Sequence, residues 1–418
     1  LGDGVDFAHG VAGMLRPPEV RSGHVLHLLS GGDEFFPALV GAIDAAQHEV
    51  RLETYIFDFN GQGADVAEAL ARAAQRGVAV FVVMDGVGTP YLPAHWMERW
   101  RQCGVQWHRY APFGYTGVLI PGRWRRLHRK LCVVDGQRAF CGGINILDDW
   151  LDPHFGALSV PRLDYAVAVT GPLVAQCHAV MAQFWARLQA TRQLESLQWA
   201  RVRQSWKAFR LLPPPSDVPS ASKADDGSVL AALLLRDNVR NRTTIERSYL
   251  KAIGAAREHV VLANAYFLPG GRLRRALIHA VKRGVRVQVV VQGQYEYFMQ
   301  YHAARPMLSL LAARGVEIRE YMPGFLHAKV AVVDGVWATV GSSNLDPLSL
   351  LLAREANVVV HDEKFAGRLS GALEQVIQGH TRPWDLTADA HRPWFERVFD
   401  RLAYGVMRLI LLFSGRRY

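Results

Sequence analysis

The chain has 418 residues, 50% of them hydrophobic, with 37 Gly and 20 Pro; this excludes wholesale disorder and collagen- or mucin-like repeats, and is enough to build more than one large core. Lys plus Arg number 48 against 38 Asp plus Glu, a formal charge of +10, which points to an anionic partner (nucleic acid, an acidic lipid surface or a phosphorylated small molecule) without choosing among them. Four cysteines with no C-x-x-C spacing are expected as reduced thiols of a cytosol-facing protein, with no zinc site among them.

In chain order, Leu1-Gly2-Asp3 opens without the basic and apolar pattern of a secretory leader, and no run of about 18 apolar residues follows anywhere, so no spanning helix is expected. Glu53-Thr54-Tyr55-Ile56-Phe57 reads as a strand and its exit. A helix with apolar spacing of three and four through Leu70–Ala74 comes next, then an Arg76-Gly77-Val78 turn and a Val-rich strand to Val83. The short apolar strand Leu131–Val134 stops at Asp135-Gly136, and Ala166–Val169 reads as a further strand. Residues 201–227 contain Pro213-Pro214-Pro215-Ser216 and the polar run Ser220 to Gly227, a linker or exposed loop. The basic and aromatic stretch at its start, with Arg203, Trp206, Lys207 and Phe209, admits a membrane-facing helix or a solvated helix face.

The first order of elements then returns. Ala263-Asn264-Ala265-Tyr266-Phe267 precedes a helix through Leu277–Val281, an Arg283-Gly284-Val285 turn, a strand to Val291, and Val330–Val333 stopped by Asp334-Gly335. An internal repeat of this kind means two homologous halves. The expected fold is α/β: halves at 24–200 and 228–380 related by a pseudo-twofold axis, each with a mostly parallel central sheet flanked by helices. Residues 381–418 form a tail with helical apolar spacing and several arginines, suited either to lie in a membrane interface or to dock on the core.

The chemistry is concentrated in one pattern. His128, Lys130, Asp135, Gly142 and Asn145 fit H-x-K-x4-D-x6-G-x-x-N, and so do His327, Lys329, Asp334, Gly341 and Asn344. Five fixed positions match by chance on the order of once in 10⁶ sites, and two copies in register are far rarer. Residues i and i+2 of an extended strand share a face, so His128 and Lys130 point together, as do His327 and Lys329. If the halves face each other, two imidazoles, two ammoniums and two Asn amides meet in one cleft. Adjacent ammoniums repel a metal cation, so neither metal nor cofactor is expected. The same set suits a phosphodiester: Lys and Asn donors stabilise the charge building on the non-bridging oxygens, one imidazole attacks phosphorus and the other protonates the leaving oxygen.

These paired motifs resemble the HKD signature of the phospholipase D superfamily, whose members include phospholipases, phospholipid synthases and nucleases. The resemblance implies that both His and both Lys share one site, that Asp135 and Asp334 anchor the loops beyond the strands, and that an acidic residue downstream of each motif orients the motif His. Glu355 is placed for that role in the second half and Asp164 in the first. Further similarity to bacterial cardiolipin synthases of the B type rests on Glu53 to Phe57, Asn145 to Asp149, Ala263 to Phe267 and Val340 to Leu350. It implies phosphatidyl transfer from phosphatidylglycerol to a second phosphatidylglycerol or another alcohol, with release of glycerol, by a protein peripheral to the cytoplasmic face of a bacterial inner membrane. A phospholipase D-type hydrolase and a nuclease of the same superfamily are the alternatives. Nucleic acid is not the expected partner, since no nucleic-acid module is recognisable and the tail is more apolar than a backbone groove needs.

Overall fold

The computed structural model describes residues 20–112, 124–152, 155–195, 229–237, 241–295, 298–346 and 353–413. The expected linker at 201–227 lies outside the described residues. The strands of the first half are β1 (Arg21–Ser30), β2 (Glu49–Thr54), β3 (Ala79–Asp85), β4 (Gln106–Tyr110), β5 (Arg126–Leu127), β6 (Lys130–Val134), β7 (Arg138–Gly142), the small hairpin β8 (Leu151–Asp152) and β9 (Gly156–Ala157), and β10 (Tyr165–Thr170). Those of the second are β11 (Val229–Arg236), β12 (His259–Asn264), β13 (Arg286–Gln292), β14 (Glu317–Tyr321), β15 (Lys329–Val333), β16 (Trp337–Gly341), β17 (Ala353–His361) and β18 (Thr381–Pro383).

All but the small hairpin join one sheet in the order β18-β14-β13-β12-β15-β16-β17-β11-β1-β10-β7-β6-β2-β3-β4, with β5 beside β17. Outward from the β1–β11 junction, equivalent strands of the two halves follow in the same order, as expected of a duplicated chain. The expectation of a mostly parallel sheet does not hold. Within each half parallel pairing of named strands is confined to β2–β3–β4 and β12–β13–β14, where helices supply the crossovers: Gln62–Gln75 and Ala94–Cys103 in one half, Gly271–Lys282 and Phe298–Ala312 in the other. The motif strands pair antiparallel instead. The Asp-Gly stops after them are tight turns with positive φ at Asp135, Gly136, Asp334 and Gly335, and a turn that short returns the chain antiparallel.

The apolar faces sort into layers. One core spans both halves: Leu131, Val133, Val167, Leu233, Val330 and Val358 pack against Leu173, Cys177, Leu369 and Leu373, which lie on the helices Pro172–Glu195 and Glu363–His380. Each half also has its own outer core, around Leu70, Val82 and Trp100 in one and Leu277, Val289 and Leu311 in the other. The alternation of β6 and β15 therefore sends odd and even residues into different cores.

The tail forms a helix, Trp394–Phe413, one face of which docks on the core. Ala403 and Met407 are buried in the outer core of the second half, and Asp400 accepts from His302 Nδ1 (2.6 Å) and Arg392 (2.7 Å), which fastens the helix to Phe298–Ala312. Trp394, Phe395, Val398, Leu402 and Val406 remain exposed. Among the described residues no helix is long and apolar enough to cross a membrane.

Candidate active site

The two motif segments are threaded into opposite halves. Strand β5 lies parallel to the start of β17, Leu127 beside Arg354, and the His128 N–H donates to the Arg354 carbonyl (3.0 Å). The second half mirrors this: Leu326 bridges Leu163, and the His327 N–H donates to the Leu163 carbonyl (2.9 Å). Each segment has an anchor in its own half as well. The Leu127 N–H donates to Asp85 (2.7 Å) and the Leu326 N–H to Gln292 (2.9 Å), from equivalent places at the ends of β3 and β13.

This threading overturns one expectation. Each acidic residue was assigned to the histidine of its own half. Instead, both Glu355 oxygens lie within 3.1 Å of His128 Nδ1, and Asp164 Oδ2 lies 2.6 Å from His327 Nδ1. The reason is register: β10 and β17 are central strands, and their leading residues meet the motif segment arriving from the other side. Linear spacing carries no sign of such an exchange. A carboxylate at Nδ1 holds the proton there and leaves the Nε2 lone pair outward.

Lys130 is buried and donates to the His128 carbonyl (2.7 Å); Lys329, wholly buried, donates to the His327 carbonyl. The residue between His128 and Lys130 is occupied elsewhere: Arg129 forms a buried pair with Glu53. Asn145 and Asn344 are buried close behind their strands. Asn145 Oδ1 accepts from the Ile56 N–H (3.2 Å), while Asn344 Oδ1 has no hydrogen-bond partner. Asp135 and Asp334 stand apart from this group. Each sits beyond the far end of its five-residue strand, about 16 Å along the chain from the motif Lys. Each accepts three backbone N–H groups, from Gln47, His48 and Glu49 in one case and from Arg257, Glu258 and His259 in the other.

Three neighbours carried no motif. The Tyr55 ring lies 5.0 Å from that of His128 and 5.6 Å from Lys130 Nζ. Ser342 Oγ donates to Glu355 (2.5 Å), and Asp85 holds Arg126 (3.0 Å) besides Leu127. Tyr55 was visible only as part of the repeat, and Ser342 as an unassigned position inside the second motif.

Burial and mutual repulsion set the charges. Burial lowers His128, with Glu355 opposing it. Burial also drives His327 well below the usual imidazole value, and the charges of Lys329, Lys130 and His128 add to the effect. Lys130 is brought down to about 7 by burial, against the pull of Glu355 and with Lys329 adding repulsion. Burial raises Asp164. Glu355 is lowered: burial opposes this, but His128, Lys130 and Ser342 outweigh it. In the free site burial thus favours neutral imidazoles, and Lys130 is poised to lose a proton that an arriving anion would help it keep. Among the described residues no group of three or more His, Cys, Asp or Glu is placed to hold a metal ion.

The family model described as "Cardiolipin synthase, PLD-like domain" matches residues 39–159 and 249–377, one motif in each stretch. The chain belongs to that family. It is accordingly an enzyme of the phospholipase D superfamily and a transphosphatidylase of the cardiolipin synthase type. It is 36% identical to cardiolipin synthase B of Salmonella typhi, over 93% of this chain and 89% of the relative, and equally so to cardiolipin synthase B of Escherichia coli (strain K12). Similarity to cardiolipin synthase A of Pseudomonas aeruginosa (strain LESB58) is 33% over 86% of this chain and 68% of the relative. The crystal structure of phosphatidylserine synthase from Haemophilus influenzae Rd KW20 shares the fold, with a TM-score of 0.66 at 13% identity over 95% of this chain and 97% of that one.

Proposed function

We propose that the protein joins the phosphatidyl group of one phosphatidylglycerol to a hydroxyl of a second, or of another alcohol, and releases glycerol. The observation that carries this reading is the crossed pairing, which presents two oriented imidazoles beside Lys130 and Lys329. One Nε2 attacks phosphorus. The arriving phosphodiester anion favours uptake of a proton from solution by the other imidazole, and as the bond to the glycerol oxygen breaks, that oxygen takes this proton. The incoming alcohol then returns a proton to the second imidazole as its oxygen displaces the first from phosphorus. His128 and His327 fill these two roles, Lys130, Lys329, Asn145 and Asn344 neutralise the phosphoryl oxygens, and Glu355 and Asp164 steady the imidazolium forms. Asp135 and Asp334 hold the scaffold. If water replaces the alcohol, the same steps yield phosphatidic acid.

The repeated strand order supports two halves related by a pseudo-twofold axis, at 24–200 and 228–380, joined by 201–227 and followed by a tail at 381–418. The exposed apolar stripe of the last helix and the +10 charge support peripheral binding to an anionic leaflet, at the cytoplasmic face of a bacterial inner membrane. The test is incubation with labelled phosphatidylglycerol in mixed micelles, the lipid products being resolved by mass. Cardiolipin with stoichiometric glycerol is the expected result. Phosphatidic acid alone, at any lipid concentration, would overturn the transferase reading.

A further inference from the structure

In the second half the carboxyl ends of β12, β13 and β14 open beneath the helix Phe298–Ala312 into a small cavity, partly open to solvent, whose wall includes Phe267, Gln292, Tyr301, Arg305, Glu320 and Trp384. Crevices at the carboxyl ends of parallel strands are where open α/β sheets take ligands. This one adjoins the second motif. Asn264 pairs with Lys329 across β12 and β15, the Ala265 N–H donates to the Ala328 carbonyl (3.1 Å), and Gln292, in the cavity wall, holds Leu326. Lys329, Ala331 and Val333 alternate onto one face of β15, and the latter two pack in the same core as the wall residues Phe267 and Leu308. The cavity therefore opens on the face of the sheet that bears Lys329. In the first half Phe57, the repeat counterpart of the wall residue Phe267, stacks on Phe59 (4.6 Å), and both meet Trp100.

The walls are polar yet balanced in charge. The Arg305 guanidinium is held by Asp389 (3.0 Å), donates to the Tyr301 hydroxyl (2.9 Å) and lies over the rings of Tyr301 and Trp384. The Glu320 carboxylate is held by Arg382 (2.8 Å). Gln292 Nε2 is buried with no hydrogen-bond partner. A phosphate or carboxylate finds no net positive charge here, and an acyl chain would leave the Gln292 amide and the Glu320 carboxylate facing hydrocarbon. A small polyol fits both demands. Its hydroxyls donate to Glu320 and accept from Gln292, and its CH groups lie against the aromatic faces. We infer that this cavity is the subsite for the alcohol exchanged on phosphorus, and that it selects neutral, hydroxyl-rich groups of glycerol size. The inference rests on the transferase reading above and adds to it which half receives the alcohol.

The experiment uses the full chain. Transfer from a phosphatidyl donor to free glycerol and to ethanol is titrated, alongside hydrolysis of bis(p-nitrophenyl) phosphate, which has no polyol. Ala304→Leu fills the cavity without removing a polar group, and Glu320→Gln weakens one acceptor while leaving Arg382 in solvent. Each should raise the half-saturating glycerol concentration about 10-fold, Glu320→Gln by weakening one good hydrogen bond and Ala304→Leu by occupying the space, and at least five times more than it changes ethanol transfer or p-nitrophenyl ester hydrolysis. Equal effects on all three, or unchanged glycerol saturation in either variant, would overturn the subsite. Wild-type protein that cleaves the p-nitrophenyl ester but makes no phosphatidyl alcohol would instead overturn the transferase reading, and the subsite with it. Should Ala304→Leu fail to fold, Glu320→Gln decides alone.

Discussion

Asp135 offers a direct separation of scaffold from chemistry. Its φ is +52°, its carboxylate accepts the N–H groups of Gln47, His48 and Glu49 at 2.8 Å each, and its own N–H donates to the Glu49 carbonyl (2.8 Å). Asp135→Ala removes three charge-assisted hydrogen bonds. Because the Gln47 and His48 groups are exposed to water, each bond is worth about 1 kcal/mol rather than the larger figure for buried ones. Holding alanine at positive φ adds about 1 kcal/mol, so the total is roughly 4 kcal/mol. That should lower the melting temperature by about 10 °C for a unit of this size. Asp135→Asn keeps one acceptor and tolerates the backbone, and should lose about half as much. Burial opposes ionisation of Asp135, but the three donors outweigh it and hold its pKa below the ordinary value. A depressed carboxylate stabilises the fold fully above the unfolded value of about 3.9 and less as pH falls through the folded one. The gap between wild type and Asp135→Asn should therefore close below about pH 4. Thermal unfolding from pH 3 to 8, with kcat/KM measured well below the transition, reads both quantities. An unchanged melting temperature with lost kcat/KM would refute the anchoring role and put Asp135 into the chemistry.

His128→Ala and His327→Ala should each lower kcat by about 10³-fold or more, since each removes one partner of a two-step transfer; substantial turnover in either would end that scheme. Lys130 sits at about 7 in the free site, so raising the pH past that value should strip its charge and lower kcat/KM, and Lys130→Arg should abolish that limb even if the overall rate is poor. Activity should survive exhaustive chelation in micelles, as the positive charge comes from lysines; full loss restored by stoichiometric metal would contradict this. Replacing the exposed Val398 and Leu402 by Ser should weaken binding to anionic vesicles about 10-fold or more, at roughly 1 kcal/mol or more per side chain, without changing the melting temperature.

What the sequence made legible follows from what repeats record. A motif printed twice singled out His128, Lys130, His327 and Lys329, and the carboxylates Glu355 and Asp164 were singled out by the family resemblance, which expects an acidic residue downstream of each motif. Their partners were not, because strand register between halves leaves no trace in spacing within a half. The Val-rich runs before β6 and β15 read correctly as parallel strands, but the sheet as a whole did not: pairing of the motif strands is decided by the Asp-Gly turns, whose positive φ dictates a return. Tyr55 and Ser342 acquire their places only through folding, and so does the cavity under Phe298–Ala312, whose wall draws on five separate stretches of the second half and the tail.

The crossed carboxylates bear on how the two halves change over generations. A half standing alone would hold an imidazole with no carboxylate to steady it and a carboxylate with nothing to steady. Neither copy can therefore drift into a passive lid while the other keeps the chemistry, as often happens after duplication. A substitution at Glu355 is felt at His128, and one at Asp164 at His327. The copies remain free to differ where no carboxylate crosses between them.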